Sequence, residues 1–165
     1  MSVAQQAQEQ FGDMVSLDEP LAPHTTYRLG GPAAMFARPR SVGDLCALGR
    51  FASEHRVPVL VLGRGSNLLV ADAGFDGLVV SLEQMADADR IVVTPDHGDG
   101  TDVGAPVEVE LGAACSLPVA ARRLVAAGVA GFEWAVGVPG SIGGAVRMNA
   151  GGHGSDMAAC LVACL

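Results

Sequence analysis

Two glycine-dense stretches hold the residues best suited to chemistry. One, residues 131–154, reads GFEWAVGVPGSIGGAVRMNAGGHG, and the other, residues 63–68, reads GRGSNL. Glycine costs backbone entropy on folding, so a dense run in a folded chain needs a reason. Without side chains in the way, backbone N–H groups approach a ligand closely, and a pyrophosphate is the usual recipient. In the shorter stretch Gly63 and Gly65 permit that approach, Ser66 and Asn67 add donors, and Arg64 adds charge. The longer stretch also carries Phe132, Trp134, Ile142 and Met148, large apolar residues that a flexible Gly/Ser linker lacks.

Other nucleotide motifs fail on spacing. A Rossmann fingerprint needs G-x-G-x-x-G opening a helix. Here Leu68 stands where the third glycine belongs, and Leu68-Leu69-Val70 followed by Gly74-Phe75-Asp76-Gly77 reads as strand and turn. The G-K-[ST] ending of a P-loop is missing as well. The segment PDHGDGTDVGAP (residues 95–106) is rich in Asp, but Asp96, Asp99 and Asp102 do not alternate as calcium ligands do, and His97 has no partner at ligand spacing. It reads as a solvated hairpin loop, so no metal is expected. Cys46, Cys115, Cys160 and Cys164 form no C-x-x-C pair. Cys46 and Cys115 lie in apolar surroundings and read as small core residues.

The elements that must position these stretches follow from periodicity. Residues 1–20 read as a polar, acidic lead-in with a short helix over Val3–Phe11. The segment LAPHTTYRLGG (residues 21–31) is loop and strand entry, and its run His24-Thr25-Thr26-Tyr27-Arg28 is either a surface loop or a segment laid across a ligand. Ala34–Ala37 predicts a strand. Ser41-x-x-Asp44 resembles a capping box, with Leu45, Leu48 and Ala52 at helical spacing behind it. That helix ends near His55, whose charge suits a helix C-terminus. VPVLVL (57–62) predicts a strand buried on both faces, leading straight into Gly63. Leu78–Leu82, Arg90–Thr94 and Val107–Leu111 predict further strands, the last two paired. Ser116 is a plausible N-cap for a helix whose apolar face is Leu117, Ala121, Leu124 and Val125, ending at Gly128. Met157–Leu165 begins a strand or a helix; its ending, CLVACL, would leave an apolar strand edge unpaired. The fold class is α+β in two similar small units, with no internal repeat.

The totals narrow the function classes. A chain of 165 residues, half of them apolar and 17% charged, is a globular domain with a real core. A net charge of −8 argues against a nucleic-acid groove and an anionic membrane surface. No apolar run is long enough to span a bilayer, and the N-terminus lacks the charged and apolar regions of a secretory signal. Reduced thiols and a cytoplasmic location are the expectation.

Taken together and in order, HTTYRLGG (24–31), PVLVLGRGSNLLV (58–70) and GFEWAVGVPGSIGGAVRMNAGGHG (131–154) resemble the UDP-N-acetylenolpyruvoylglucosamine reductase family, also called UDP-N-acetylmuramate dehydrogenases. The resemblance runs from about Pro23 to Ala159. It implies an FAD-binding domain of the vanillyl-alcohol-oxidase/p-cresol-methylhydroxylase type, made of two small α+β subdomains, 23–88 and 89–165, after the lead-in of 1–22. It implies non-covalently bound FAD, NADPH as hydride donor, and a nucleotide-sugar substrate whose enolpyruvyl group is reduced to give UDP-N-acetylmuramate for peptidoglycan and cell-wall synthesis. By motif, Gly63, Arg64, Gly65, Ser66, Asn67 and Leu68 are the expected pyrophosphate loop. Gly137, Val138, Pro139, Gly140, Ser141 and Gly143 are expected to line the flavin, with Asn149, Ala150 and Gly151 at the flavin or its phosphates. Thr25 and Thr26 are expected at the cofactor edge, and Leu62, Val138 and Ile142 as apolar walls.

The resemblance places the family's catalytic arginine, serine and glutamate beyond Leu165, so the chain alone is expected to lack turnover and the substrate domain to be absent. Tyr27-Arg28 is not that arginine motif. His153 stands where the family's GAYG pattern has a different residue. Two rival readings remain: an FAD-linked sugar or alcohol oxidase of the same fold, with His24 or His153 for covalent attachment, and a non-catalytic nucleotide-binding module.

Overall fold

The computed structural model describes residues 1–85, 87–94 and 106–164. The Asp-rich loop read from the sequence lies, apart from Pro106, outside the described residues. The chain folds as two compact units, Met1–Ala88 and Asp89–Leu165.

The first unit is built on a four-stranded sheet of β1 (Val15–Pro20), β2 (Pro32–Ala37), β3 (Val59–Leu62) and β4 (Phe75–Ser81), in the order β1-β2-β4-β3. β1 is antiparallel to β2, and β4 runs parallel to both β2 and β3. β2 and β3 flank β4 as parallel strands, and helix α2 (Val42–His55) supplies the crossover from one to the other. The sequence sets its limits. Ser41 accepts from the Asp44 N–H while Asp44 accepts from the Ser41 N–H, and Arg56 in the left-handed conformation closes the far end. His55 lies in the last turn and packs its ring 4.4 Å from that of Phe51. Helix α1 (Val3–Phe11) opens with the same reciprocal cap, between Ser2 and Gln5. Alternation sorts β2 and β4 between two cores. Met35, Ala37, Leu78 and Val80 face α1 and α2 with Leu48 and Phe51, whereas Phe36 and Val79 join Leu21, Leu62 and Val70 on the other side. Each such side chain contributes roughly 1.5–3 kcal/mol when fully buried.

Two sequence expectations change here. VPVLVL is not buried on both faces: β3 is an edge strand, with Val59 49% and Val61 62% exposed. The doubly buried strand is β4, whose neighbours shield both its edges while helices and loops cover both its faces. The polar lead-in also does more than precede the fold, since Val15–Pro20 supplies the opposite edge strand. Leu68–Val70 is loop rather than strand.

The second unit has a hairpin of β5 (Ile91–Thr94) and β6 (Glu108–Leu111), then α3 (Leu117–Ala126), a 3-10 turn over Glu133–Gly137, α4 (Ile142–Met148), a two-residue pair β7 (Gly151–Gly152) and β8 (Ser155–Asp156), and α5 (Met157–Cys160). Its core gathers Leu117, Ala120, Ala121 and Leu124 of α3 around Phe132, Trp134, Ile142 and Met157. Val125, expected on the apolar face, is 53% exposed, and Ala120 takes that place. Residues 161–164 form neither strand nor helix. Among the described residues, no helix is long and apolar enough to cross a membrane.

Leu78 is 1% exposed at the centre of the first core. Leu78→Ala should lower unfolding stability by about 2–5 kcal/mol, read by chemical denaturation; a loss below about 1 kcal/mol would contradict the packing described.

Candidate functional site in two glycine-rich segments

In the first unit the register of the parallel strands places the site. Leu62 is paired with Ser81, so the C-terminal ends of β3 and β4 lie side by side. Ligands of open α/β sheets bind outside such carboxyl ends. A cavity of about 320 Å³ opens there, lined by Pro23, His24, Thr25, Thr26, Leu62, Gly63, Arg64, Ser81 and Glu83. Thr25 and Thr26 thus share a cavity with the glycine loop. Ser81, 3% exposed, and Glu83 escaped the sequence reading. The signal for Ser81 was present: it is a single hydroxyl ending an otherwise apolar run, LVVS.

The loop after β3 is folded back onto the Pro23–Thr26 turn. Thr26 N–H donates to the Gly65 carbonyl at 3.0 Å. Gly65 is buried with φ of +62°, and a Cβ there would lie 2.0 Å from the His24 carbonyl oxygen. Only glycine allows this approach, so the second glycine of GRGSN serves the loop's own seat. Gly63, Arg64 and Asn67 remain exposed, with Ser66 and Leu68 half-buried.

The turn itself is held from below. Glu19 Oε1 accepts from Arg38 Nη2 at 2.7 Å and pairs with His24 Nε2 at 3.1 Å. Arg38 also donates to Ser16 Oγ at 3.2 Å. Both side chains rest on the fully buried Phe36 ring, His24 stacked at 4.7 Å and the Arg38 guanidinium at 4.3 Å. The Thr25 hydroxyl, in a residue 5% exposed, lies 3.3 Å from the Ala22 and the Leu29 carbonyls. Burial alone would raise the Glu19 carboxyl; the hydrogen bonds and charges of His24 and Arg38 overcome it and hold the group below the usual carboxylate range. Glu19 and Arg38 also went unnoticed in the sequence, because 19 residues separate them and only strand pairing unites them.

In the second unit the predicted residues meet around α4, but most of their polar groups are already engaged. Ser141 Oγ caps the helix by accepting from Gly144 N–H at 3.3 Å. Ile142 and Gly143 donate their N–H groups to the carbonyls of Cys115 and Ala113, each at 2.8 Å, and the Gly140 carbonyl accepts from Leu117. A Cβ on Gly143 would lie 3.2 Å from Ala113 Cβ and its oxygen, so this glycine serves segment packing. Ser116 occupies the N-cap position of α3 without a side-chain cap bond. Asn149 takes the left-handed C-cap of α4; its Oδ1 accepts from Ala158 N–H at 2.8 Å and its Nδ2 donates to Asp156. Ala150 N–H donates to Ala145, and the Ala150 carbonyl accepts from Met157. Gly151 forms β7 with Gly152. Gly137 and Pro139 are exposed and Val138 half-buried, and Ile142 is a buried core residue.

The His153 ring lies against Gly137, where a Cβ would come within 3.1 Å of its Nε2. His153 also lines a second cavity, of about 460 Å³, with Glu133, Trp134, Val136 and Ser155. The Trp134 indole N–H is buried without a hydrogen-bond partner among the described residues and faces the Cys160 thiol short of bonding geometry. Burial pushes that thiol up, with the indole acting against it, so Cys160 stays protonated at neutral pH. Cys115 is a core residue, as its surroundings implied, but Cys46 is exposed on α2.

The donor set of the first unit fits a diphosphate. It offers the exposed Gly63 backbone, an arginine with no ion pair among the described residues, and the exposed Thr26 beside a cavity of that scale.

Gly65→Ala must displace the His24 turn or distort a backbone at positive φ. A loss of about 1–3 kcal/mol is expected, together with loss of ligand at this cavity; unchanged melting would refute the close approach. Glu19 yields a pH prediction. Because its folded value is depressed, its stabilisation is complete above the unfolded value of about 4.5 and disappears as pH falls through the folded value. Acid unfolding of Glu19→Gln should lack this component, and superimposable acid transitions would exclude it.

Residues 33–164 match the FAD binding domain family. The chain is 41% identical over 147 residues to the UDP-N-acetylenolpyruvoylglucosamine reductase of Chloroflexus aggregans, covering 88% of this chain and 45% of the relative. It is 45% identical over 139 residues to the same-named protein of Heliobacterium modesticaldum, covering 84% and 40%. The crystal structure of UDP-N-acetylenolpyruvylglucosamine reductase from Thermus caldophilus superposes with a TM-score of 0.60 at 30% identity, over 87% of this chain and 44% of that one. The chain therefore spans under half the length of these relatives. It is a mixed α/β chain that belongs to the FAD binding domain family, and its curated relatives there are UDP-N-acetylenolpyruvoylglucosamine reductases.

Proposed function

We propose that this chain is the FAD-binding portion of a UDP-N-acetylenolpyruvoylglucosamine reductase. The observation that carries the reading is the Gly63–Asn67 loop, seated on the His24 turn at the carboxyl ends of two parallel strands, in a chain similar to proteins of that name. In this reading residues 23–88 and 89–165 are two FAD-binding subdomains, the first extended by β1. The backbone of Gly63, Gly65 and Leu68, with Arg64, Ser66 and Asn67, holds the FAD pyrophosphate non-covalently, and Thr25 and Thr26 border it. Gly137, Val138, Pro139, Gly140, Ser141 and Gly143 line the flavin with backbone and apolar surface. Asn149, Ala150 and Gly151 shape that wall from behind, consistent with their internal hydrogen bonds.

When bound, FAD would supply a two-electron carrier between a nicotinamide donor, NADPH, and the substrate. The chain's own residues neutralise phosphate charge, through Arg64 and backbone N–H groups, and Leu62 gives the first unit's cavity an apolar wall. The whole protein is proposed to reduce the enolpyruvyl group of UDP-N-acetylglucosamine enolpyruvate to UDP-N-acetylmuramate, a cytoplasmic step of peptidoglycan precursor synthesis.

Titrating the purified chain into FAD should quench flavin fluorescence saturably. Arg64→Ala should weaken binding about tenfold or more, the loss expected of a charge-assisted contact. A folded chain, by circular dichroism, that gives no saturable quenching at about 100 μM FAD (far above the Kd of a site worth about 8 kcal/mol) would rule the proposal out.

A further inference from the structure

The Glu19–His24–Arg38 cluster lies beneath the proposed phosphate loop, and no phosphate-binding role accounts for it. Its construction is specific. One carboxylate oxygen meets two basic side chains, at 2.7 and 3.1 Å. Both rest on the same fully buried phenyl ring. Arg38 is further tied to Ser16 on β1. The side chain of His24 therefore has its position fixed by charge and stacking together. Its main chain is what the loop rests on: the His24 carbonyl fills the place of a Gly65 Cβ, and Thr26 N–H holds the Gly65 carbonyl. Two elements distant in sequence thus meet through one residue, the sheet edge on one side of His24 and the glycine loop on the other.

We propose that Glu19 and His24 are positioning residues, which set the affinity of the Gly63–Asn67 loop for a flavin dinucleotide by holding the turn on which that loop is seated. The inference rests on the function proposed above, but its mechanical part, coupling from Glu19 to the loop, holds without a ligand. The Glu19 contact and the Phe36 ring hold the His24 side chain, and the His24 main chain seats the loop. The other charged groups around His24 are Arg38, across Glu19, and Arg64 and Glu83, which line the same cavity.

The test uses the whole chain with FAD as probe and amide hydrogen exchange as the ligand-free readout. Glu19→Gln should bind FAD about tenfold more weakly than wild type, in line with loss of charged hydrogen bonds. His24→Gln keeps a side-chain N–H donor, so it should retain most affinity, whereas His24→Ala should lose it. Wild-type affinity in folded Glu19→Gln overturns the proposal. In hydrogen exchange, Glu19→Gln should speed exchange at residues 22–26 and 62–68 while the β4 amides keep their protection. Uniform acceleration throughout the unit, or no change in the loop, also overturns it. If wild type is folded but binds no FAD, the functional reading fails, and hydrogen exchange alone decides the coupling.

Discussion

The approach of the Gly65 backbone to the His24 carbonyl is the constraint on which the first unit depends. It joins a turn that follows the edge strand β1 to a loop that follows the opposite edge strand β3. The sheet between them sets the span, and β4, shielded on both edges and both faces, sets the sheet. A side chain larger than hydrogen at position 65 would separate the turn from the loop, and the cavity between them would lose its floor. The contact also orders the loop in advance, because an unsupported loop would bear its ordering entropy at the moment of any binding.

The glycine-rich segment of the second unit obeys a different rule. Its glycines and its serine close protein against protein: Gly143 on Ala113, Ser141 on the first turn of α4, and Gly137 beneath His153. High glycine density therefore reports close approach without saying what approaches. In one unit the partner is a turn with a cavity beside it; in the other it is largely the chain itself.

Much of this was legible in the sequence. The reciprocal cap at Ser41 and Asp44, the helix over Val3–Phe11, the paired strands around the Asp-rich loop and the Gly128 stop depend on neighbours a few residues apart, and local chemistry decides them. What stayed hidden depends on sheet order. VLVL carries the composition of a central strand but lies at an edge, and the central role falls to a strand that follows it, because order in a sheet is decided by crossovers rather than by hydropathy. Glu19 and Arg38 join the site only through the β1–β2 pairing. Cys46 looked like a core residue because its neighbours are apolar, yet helical rotation points it outward. Of the site, the backbone-rich loop could be read from its glycines, whereas the groups supporting it could not.

The pairing of Leu62 with Ser81 has an evolutionary consequence. Cavity geometry is tied to sheet register, so a one-residue insertion or deletion within VLVL would turn the strand over and carry Gly63 away from the turn that seats its loop. The stretch after Asn67 is no freer, because Val70 lies in the core and the Ala71 carbonyl accepts from Gly31. Descendants of this chain can therefore change the Gly63–Asn67 loop by substitution far more readily than by length.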